Sequence, residues 1–222
     1  MLRKGIRKIG KRVLFPLLNG TLKYYVKEER FFNHKGVELK IKPTVFHPGL
    51  YLSTKILMNF LDTLELDKKT FLELGAGSGA IGFYAEKLGA KVTLSDINKM
   101  AIDGLLENKE RLSSTAEVVH SDLFEQLDTS FDVVVVNPPY YPKAPENEEQ
   151  MAWFCGEEFE YFQRFFSGLK TILHASSNVY MILSEDCNLQ QIKAIANKHG
   201  FTFELHYKKM KLLEWNYVYL IS

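Results

Sequence analysis

A glycine-rich turn between a strand and a helix is the first place in the sequence where chemistry can be predicted. The apolar segment Phe71–Leu74 leads into Gly75–Gly79, which contains three glycines, and a helix-forming segment begins at Ala80. Glycines let the backbone turn tightly and let a ligand approach it closely. Asp96 ends the next predicted strand, 21 residues after Gly75, where its carboxylate can accept hydrogen bonds from two ribose hydroxyls. The pattern therefore predicts a nucleoside cofactor.

The glycine spacing alone does not decide which nucleoside cofactor binds. Gly75-x-Gly77-x-x-Ala80 also satisfies the dinucleotide-binding fingerprint, and a turn that serves only packing would show the same spacing. Glu73, just before the glycines, favours S-adenosylmethionine. A carboxylate suits the cationic amino-acid end of that molecule and suits a pyrophosphate poorly.

A second motif, Asn137-Pro138-Pro139-Tyr140, directly follows the fourth strand of the region. Ligands of open α/β sheets bind beyond the carboxyl ends of the strands, where this tetrapeptide would lie. The Asn137 side-chain oxygen and the Pro138 carbonyl can each accept one N–H of a planar NH2 group, which aims the nitrogen at a methyl donor. Tyr140 offers a ring face to a flat group, and a strand terminator is the alternative role. The tetrapeptide matches the Asn-Pro-Pro-Tyr motif of methyltransferases that act on planar nitrogens.

Together, the two motifs resemble the class I S-adenosylmethionine-dependent methyltransferases. Among these, the sequence is most similar to the HemK-like release-factor glutamine methyltransferases and the related small-domain RNA methyltransferases, over roughly residues 40–222. The resemblance implies S-adenosylmethionine as the cofactor. It also implies a doubly wound α/β fold with a mostly parallel seven-stranded sheet, in the order 3-2-1-4-5-7-6 with the last strand antiparallel.

The resemblance further implies a role for each site residue. The turn from Glu73 to Gly79 would hold the methionine part, Asp96 the ribose, and Asp122 the exocyclic amine of adenine, with Ile97 packed on the adenine face. The cofactor-binding residues expected on this basis are Glu73, Gly75, Ala76, Gly77, Gly79, Asp96, Ile97, Asp122, Leu123 and Asn137. The residues expected to be catalytic, as the substrate clamp, are Asn137, Pro138, Pro139 and Tyr140.

Two weaker matches flank the clamp. Val45–Gly49 resembles a family segment with Pro-Arg before a helix, although glycine follows the proline here. Ala152–Gly156 resembles the small-Trp-x-x-Gly stretch that follows the clamp in the family. The loop 138–156 is long, and its polar middle, Glu146–Gln150, is expected to be mobile. A gate for the substrate and a solvated loop are both compatible with it.

Strand-like and helix-like segments alternate from residue 70 onward, which is typical of a parallel sheet with helices on both faces. A final pair of strand-like runs without a helix between them predicts a hairpin at one sheet edge. The predicted strands are 70–74, 91–95, 116–121, 131–137, 178–184, 201–209 and 214–222, and the predicted helices lie near 80–88, 98–111, 157–173 and 188–199.

Upstream of this region, Leu22–Val26 and Val37–Ile41 predict a β-hairpin joined through Asn33–Gly36. Ser53 or Thr54 is expected to cap the next helix. Residues 2–14 place apolar residues at helical spacing with basic residues between them, which predicts an amphipathic helix. This arm carries six basic residues within the first twelve and no acid before Glu28. It could contact nucleic acid or the ribosome, lie on an anionic membrane surface, or pack on the body.

Composition excludes several classes of protein. With 222 residues, 46% hydrophobic and 25% charged, the chain is neither disordered nor collagen-like. No apolar run approaches the roughly 18 residues of a membrane span. The two cysteines lack CxxC spacing, which favours a reducing, cytoplasmic location, although an acid-free basic start also fits an organelle transit peptide. The histidines show no ligand-pair spacing, so no metal site is expected.

The sequence therefore predicts methyl transfer from S-adenosylmethionine to a planar NH2 group. The expected acceptor is a protein glutamine side chain, as in a release factor, and the alternative is an adenine or guanine of RNA. A nucleotide-dependent oxidoreductase and an inactive methyltransferase-like binding subunit are the other interpretations. The predicted units are an arm over residues 1–20, a hairpin and helix over 21–62 that cover the substrate side, and a cofactor-binding domain over 63–222.

Overall fold

The computed structural model describes residues 28–50, 52–211 and 214–222. The predicted amphipathic helix over residues 2–14 and the predicted strand Leu22–Val26 lie outside these residues. Nine strands and six helices are described. The strands are β1 Arg30–His34, β2 Val37–Ile41, β3 Thr70–Leu74, β4 Lys91–Asp96, β5 Glu117–His120, β6 Val133–Val136, β7 Asn178–Ser184, β8 Phe203–Lys211 and β9 Glu214–Ile221. The helices are α1 Leu52–Leu61, α2 Ala80–Lys87, α3 Lys99–Leu112, α4 Glu148–Met151, α5 Glu160–Gly168 and α6 Leu189–Lys198, and a 3-10 turn, Leu169–Ile172, follows α5.

Seven of the strands form one sheet in the order β5-β4-β3-β6-β7-β9-β8. Strands β3 to β7 pair in parallel, whereas β9 is antiparallel to both β7 and β8. If β3 is numbered strand 1 and β9 strand 7, this order reads 3-2-1-4-5-7-6. The predicted topology is therefore confirmed. The carboxyl ends of the five parallel strands therefore meet at one edge of the sheet.

The four consecutive valines of β6 show why the sheet has two cores. Val133 and Val135 pack in a cluster with the hairpin and helices α1 to α3, whereas Val134 and Val136 pack with α5 and α6. Side chains of a strand alternate between faces, so an all-valine strand is one that is buried on both sides. The run of phenylalanines in α5 belongs to the second cluster.

The N-terminal hairpin differs from the prediction in its first strand. Strand β1 pairs with β2 from Arg30 opposite Ile41 to His34 opposite Val37. The turn is only two residues long, Lys35 and Gly36, both with positive φ (50° and 73°), as tight hairpin turns require. Because the turn is so short, Asn33 and His34 belong to the strand, and the described partner of β2 is Arg30–His34.

Two helix starts also differ from the prediction. Helix α1 begins at Leu52, so Ser53 and Thr54 lie in its first turn rather than before it. Helix α5 begins at Glu160 rather than near residue 157, because Gly156 and Phe159 are both left-handed, with φ of 87° and 61°. Helix α5 also ends at Gly168, and the 3-10 turn Leu169–Ile172 continues it towards the predicted end at 173; the other predicted bounds from residue 70 onward lie within two residues of the observed ones. Among the helices of the described ranges, none combines the length and apolar character that a membrane span requires.

Candidate functional site

The parallel pairing brings the residues singled out in the sequence to one edge of the sheet. Leu74 is paired with both Ser95 and Val136, so the glycine turn after β3 lies between the end of β4 and the clamp motif after β6. Asp96 is paired with His120 at the ends of β4 and β5. The resulting cleft lies where ligands of open α/β sheets bind.

The glycine turn has one open side and one packed side. Its three glycines, Gly75, Gly77 and Gly79, have φ of 69°, 52° and 77°. A Cβ atom at Gly75 would meet no heavy atom within 4 Å, whereas one at Gly79 would lie 2.6 Å from Leu105 Cδ2. Gly79 therefore permits helix packing, and the surface at Gly75 is open to a ligand.

The carboxylate of Asp96 ties the turn to the start of α3. Oδ2 accepts a hydrogen bond from Gly77 N at 2.7 Å, and Oδ1 accepts one from Asn98 N at 2.9 Å. Burial raises the pKa of Asp96, and the amides of Asn98, Gly77 and Ile97 oppose that rise. Each oxygen keeps a lone pair beyond these backbone contacts, so the group can still accept hydrogen bonds from a diol.

Glu73 lies beneath the turn rather than on its open side. Its side chain is 4% exposed, and Oε2 accepts a hydrogen bond from Gly82 N at 2.6 Å. Burial raises the pKa of Glu73 to about 8, against the lowering effect of the Gly82 and Ile81 amides. Gly82 makes this approach possible, because a Cβ there would lie only 3.0 Å from Glu73 Oε2 and would clash with Leu94 Cδ2 at 2.2 Å. The carboxyl group thus interacts with the first turn of α2.

The segment after β5 forms a tight turn beside Asp96. Ser121 N donates to the Asp96 carbonyl at 2.9 Å, and Ser121 Oγ donates to the Leu123 carbonyl at 3.0 Å. Leu123 is left-handed, with φ of 51°, which is uncommon for a residue other than glycine. The Asp122 carboxylate forms an ion pair with Arg164 of α5, and the Ile97 carbonyl contacts His120 Nε2 at 2.8 Å.

The clamp motif receives a contact from α1 that the sequence did not indicate. Asn137 Nδ2 donates to Ser53 Oγ at 3.2 Å. This bond directs the amide nitrogen towards α1 and leaves Oδ1 as the end of the side chain available to an acceptor. Pro138 is buried, and Pro139 and Tyr140 are half-buried. Burial raises the pKa of Tyr140, the neighbouring Tyr141 raises it further, and Ser184 at the end of β7 opposes that rise.

The long loop 138–156 is held by backbone hydrogen bonds. Tyr141 N donates to the Trp153 carbonyl at 3.1 Å, and Cys155 N donates to the Tyr141 carbonyl at 3.0 Å. Its polar middle, expected to be mobile, contains the helical turn α4, capped by Asn147. The Trp153 ring lies 5.2 Å from that of Phe46, and Phe46 Cβ is 3.8 Å from the Cβ position of Gly77. The loop and the segment 45–47 therefore adjoin the glycine turn.

Helix α5 contributes two residues, Tyr161 and Arg164, that were not among the site residues predicted from the sequence. Burial raises the pKa of Tyr161, and the charges of Asp96 and Asp122 raise it further. Arg164 follows at i+3 on the same helix face. Helical spacing is the one signal in the sequence that could have placed Tyr161 and Arg164 on the same face, and it does not indicate their partners.

Comparisons with known proteins agree with this architecture. A family model described as methyltransferase small domain matches residues 36–201. The chain is 28% identical over 187 residues to the release factor glutamine methyltransferase of Chlamydia trachomatis, covering 81% of this chain and 60% of that protein. It is 28% identical over 171 residues to the ribosomal RNA small subunit methyltransferase C of Haemophilus influenzae, covering 70% and 51%.

A solved structure shows the same fold. The 16S rRNA methyltransferase of T. thermophilus, in complex with AdoMet and guanosine, is similar with a TM-score of 0.64 at 20% identity, over 86% of this chain and 49% of that one. The chain spans about half the length of the curated relatives it matches.

Proposed function

Because the chain belongs to the family of methyltransferase small domains, we propose that it transfers the methyl group of S-adenosylmethionine to a planar NH2 group. The observation that carries this proposal is the orientation of Asn137. Its amide nitrogen is bonded to Ser53 Oγ at 3.2 Å, so its oxygen is left to accept an N–H of an acceptor beside the open glycine turn.

The residues of the cleft fit this cofactor. The open surface at Gly75 leaves room for a ligand against the backbone. The turn Gly75–Gly79, which includes Ala76 and Gly77, would hold the methionine part of the cofactor. Asp96 would bind the ribose diol with its remaining lone pairs. Ile97 and Leu123 would pack on the adenine, and Asp122 would accept its amine. Glu73, which lies beneath the turn, would act on the cofactor through the start of α2, whose Gly82 amide donates to its side chain.

The bound cofactor supplies an electrophilic methyl carbon on a sulfonium sulfur. The chain's own task is to hold an amide or aromatic amine nitrogen in line with that carbon, because the nitrogen lone pair is delocalised and attacks poorly. Asn137 Oδ1 and the Pro138 carbonyl would accept the two N–H groups, and Tyr140 would pack on the flat group. The cofactor would supply the methyl carbon and keep the electron pair of its S–C bond, and the methylated nitrogen would lose one proton to water. No strong general base is required, since alkylation makes that proton acidic.

A glutamine side chain in a protein is the acceptor that we propose. The order of the motifs and the Ala152–Gly156 stretch resemble the glutamine branch of the family. The similarity to a release factor glutamine methyltransferase extends over 81% of the chain, more than the 70% for the ribosomal RNA relative.

An RNA base is the second candidate, and a specific observation favours it. Strand β8 is one of the two edge strands of the sheet, and its exposed residues include His206, Lys208, Lys209 and Lys211. Cations along one edge suit a phosphate backbone.

The proposal is tested by methyl transfer from labelled S-adenosylmethionine into whole-cell extract, with the full-length chain and Asn137→Ala as the inactive control. Label in a protein band that is removed by protease supports the glutamine proposal. Label released only by nuclease replaces it with the RNA base, and label in a small metabolite overturns both. Calorimetry completes the test. Binding of S-adenosylhomocysteine without binding of NAD is expected, and the converse would indicate the oxidoreductase.

A further inference from the structure

The backbone around Asp122 is held in one conformation. Ser121 Oγ accepts a hydrogen bond from Gln126 N at 3.1 Å while it donates to the Leu123 carbonyl at 3.0 Å. Leu123 is fixed in the left-handed region with φ of 51°. Hydrogen bonds within the turn 121–126 therefore fix its backbone. The remaining freedom of Asp122 is the rotation of its side chain.

Arg164 of α5 restrains that rotation. Its Nη2 atom lies 2.8 Å from Asp122 Oδ2, and the same nitrogen lies 3.7 Å from Glu125 Oε1. The Asp122 side chain is 31% exposed and that of Arg164 51%. The ion pair is thus partly shielded from water, and a second carboxylate in the same turn, that of Glu125, lies within ion-pair distance of the same nitrogen. Among the residues that the structure describes, the second oxygen of Asp122, Oδ1, has no partner.

This arrangement gives Asp122 one oxygen that is held and one that is available. A carboxylate with one oxygen fixed accepts a hydrogen bond at the other oxygen from a donor in a defined direction. An exocyclic amine is such a donor, whereas a carbonyl oxygen at the same place would face a negative charge. Without Arg164, the carboxylate could rotate and turn away from the carbonyl oxygen.

We propose that Arg164 is a positioning residue that orients Asp122 and so makes the nucleoside site selective for a 6-amino purine over a 6-oxo purine. The inference rests on the proposed function, because it places the adenine of the cofactor beside Asp122. It extends that function to a residue of α5 that no motif of the sequence included. Arg164 acts through Asp122 and does not itself contact the reacting atoms.

The test compares two ligands by calorimetry, S-adenosylhomocysteine and its deaminated analogue S-inosylhomocysteine. The proteins are the wild-type chain, Arg164→Gln, Arg164→Lys and Arg111→Gln. Arg111 is the matched control, because it is an exposed arginine that forms an ion pair with a different carboxylate, Glu38 of β2, at 3.9 Å. The wild type should prefer the adenosine ligand by at least about tenfold.

Arg164→Gln should lower that preference by about three- to fivefold, in line with a partly exposed ion pair. Arg164→Lys should give an intermediate preference, and Arg111→Gln should leave it unchanged. A merely structural role would weaken both ligands equally and leave the ratio as it was, which would overturn the inference. Equal binding of both ligands by the wild type, or tighter binding of both by Arg164→Gln, would also overturn it. No binding of either ligand by the wild type would instead overturn the proposed function itself.

Discussion

At the scale of single residues, the buried carboxyl group of Glu73 makes stability depend on pH. Its pKa is raised from 4.5 to about 8 by burial. Between these values the folded state binds a proton that the unfolded state lacks. The contribution to the free energy of unfolding is therefore present in full below about pH 4.5 and is lost as the pH rises towards 8, by up to about 1.4 kcal/mol per pH unit.

Glu73→Gln should remove this dependence while keeping the hydrogen bond from Gly82 N, since the amide oxygen can accept it. We expect the variant to exceed the wild type in stability at pH 8 and to approach it at pH 5. Urea unfolding at several pH values measures the difference in slope. Glu65→Gln, at an exposed glutamate, is the control and should follow the wild type. Parallel curves for wild type and Glu73→Gln would mean that the carboxyl group is ionised in the fold.

The bond between Ser53 and Asn137 leads to a second prediction about residues. Asn137→Ala should lower methyl transfer by about 10² or more, because the acceptor loses its orientation, with cofactor affinity within about threefold of the wild type. Ser53→Ala should lower transfer by about two- to tenfold, the effect of one hydrogen bond, and Ser53→Thr should restore it.

The coupling of these two residues distinguishes positioning from independent effects. If Ser53 acts only by orienting the amide, Ser53→Ala should add nothing in the Asn137→Ala background. Initial rates of label incorporation into extract measure all four proteins of the cycle. If Ser53→Ala lowers the rate by the same factor in the Asn137→Ala background as in the wild type, Ser53 affects transfer by another route.

At the scale of elements, helix α3 takes the place of a neighbouring strand for the hairpin. The buried Asn108 side chain accepts from Lys40 N at 2.8 Å and donates to the Lys40 carbonyl at 2.8 Å, so its amide imitates a strand backbone at the edge of β2. Asn108→Leu should cost about 2–4 kcal/mol, because two backbone groups lose their partners.

Urea unfolding measures this cost, and amide hydrogen exchange locates it. Protection of the Lys40 amide should fall more than that of the central strands in Asn108→Leu. Glu110→Ala, at an exposed position of the same helix, should change stability by less than about 0.5 kcal/mol. Unchanged exchange at Lys40 would mean that the pairing does not hold the hairpin.

The same elements show what could be predicted from the sequence. Strands β3 and β7 have the predicted bounds, because apolar runs between turn residues are a local signal. The prediction for the first hairpin strand was wrong because Lys35 has a left-handed conformation that a lysine in the sequence does not indicate. The partners Ser53 and Arg164 come from helices far from the motifs in the chain. A local pattern shows which face of a helix is apolar but not which residues that face contacts. The roles of the site residues stay predictions.

At the scale of the whole molecule, positive charge is concentrated at two places. Six basic residues lie within the first twelve, although the chain carries a net charge of only +1. The second place is the edge strand β8, where Lys208, Lys209 and Lys211 are exposed. We propose that the arm over residues 1–20 is a unit separate from the cofactor-binding domain over 63–222, with the hairpin and helix between them covering the substrate side.

Deletion of residues 1–12 should leave cofactor affinity unchanged, because the residues of the cleft follow residue 70 in the chain apart from the segment 45–53. If the arm binds nucleic acid or the ribosome, deletion should weaken that binding and flatten its dependence on salt, by about 0.9 units of logarithmic slope for each phosphate that the protein no longer neutralises. Titration of labelled RNA and of ribosomes at several salt concentrations measures the slope.

The triple variant Lys208→Gln, Lys209→Gln and Lys211→Gln separates the edge strand from the arm. Equal slopes with and without the arm would favour a helix packed on the body. A slope that falls only in the triple variant would instead assign the charged surface to β8.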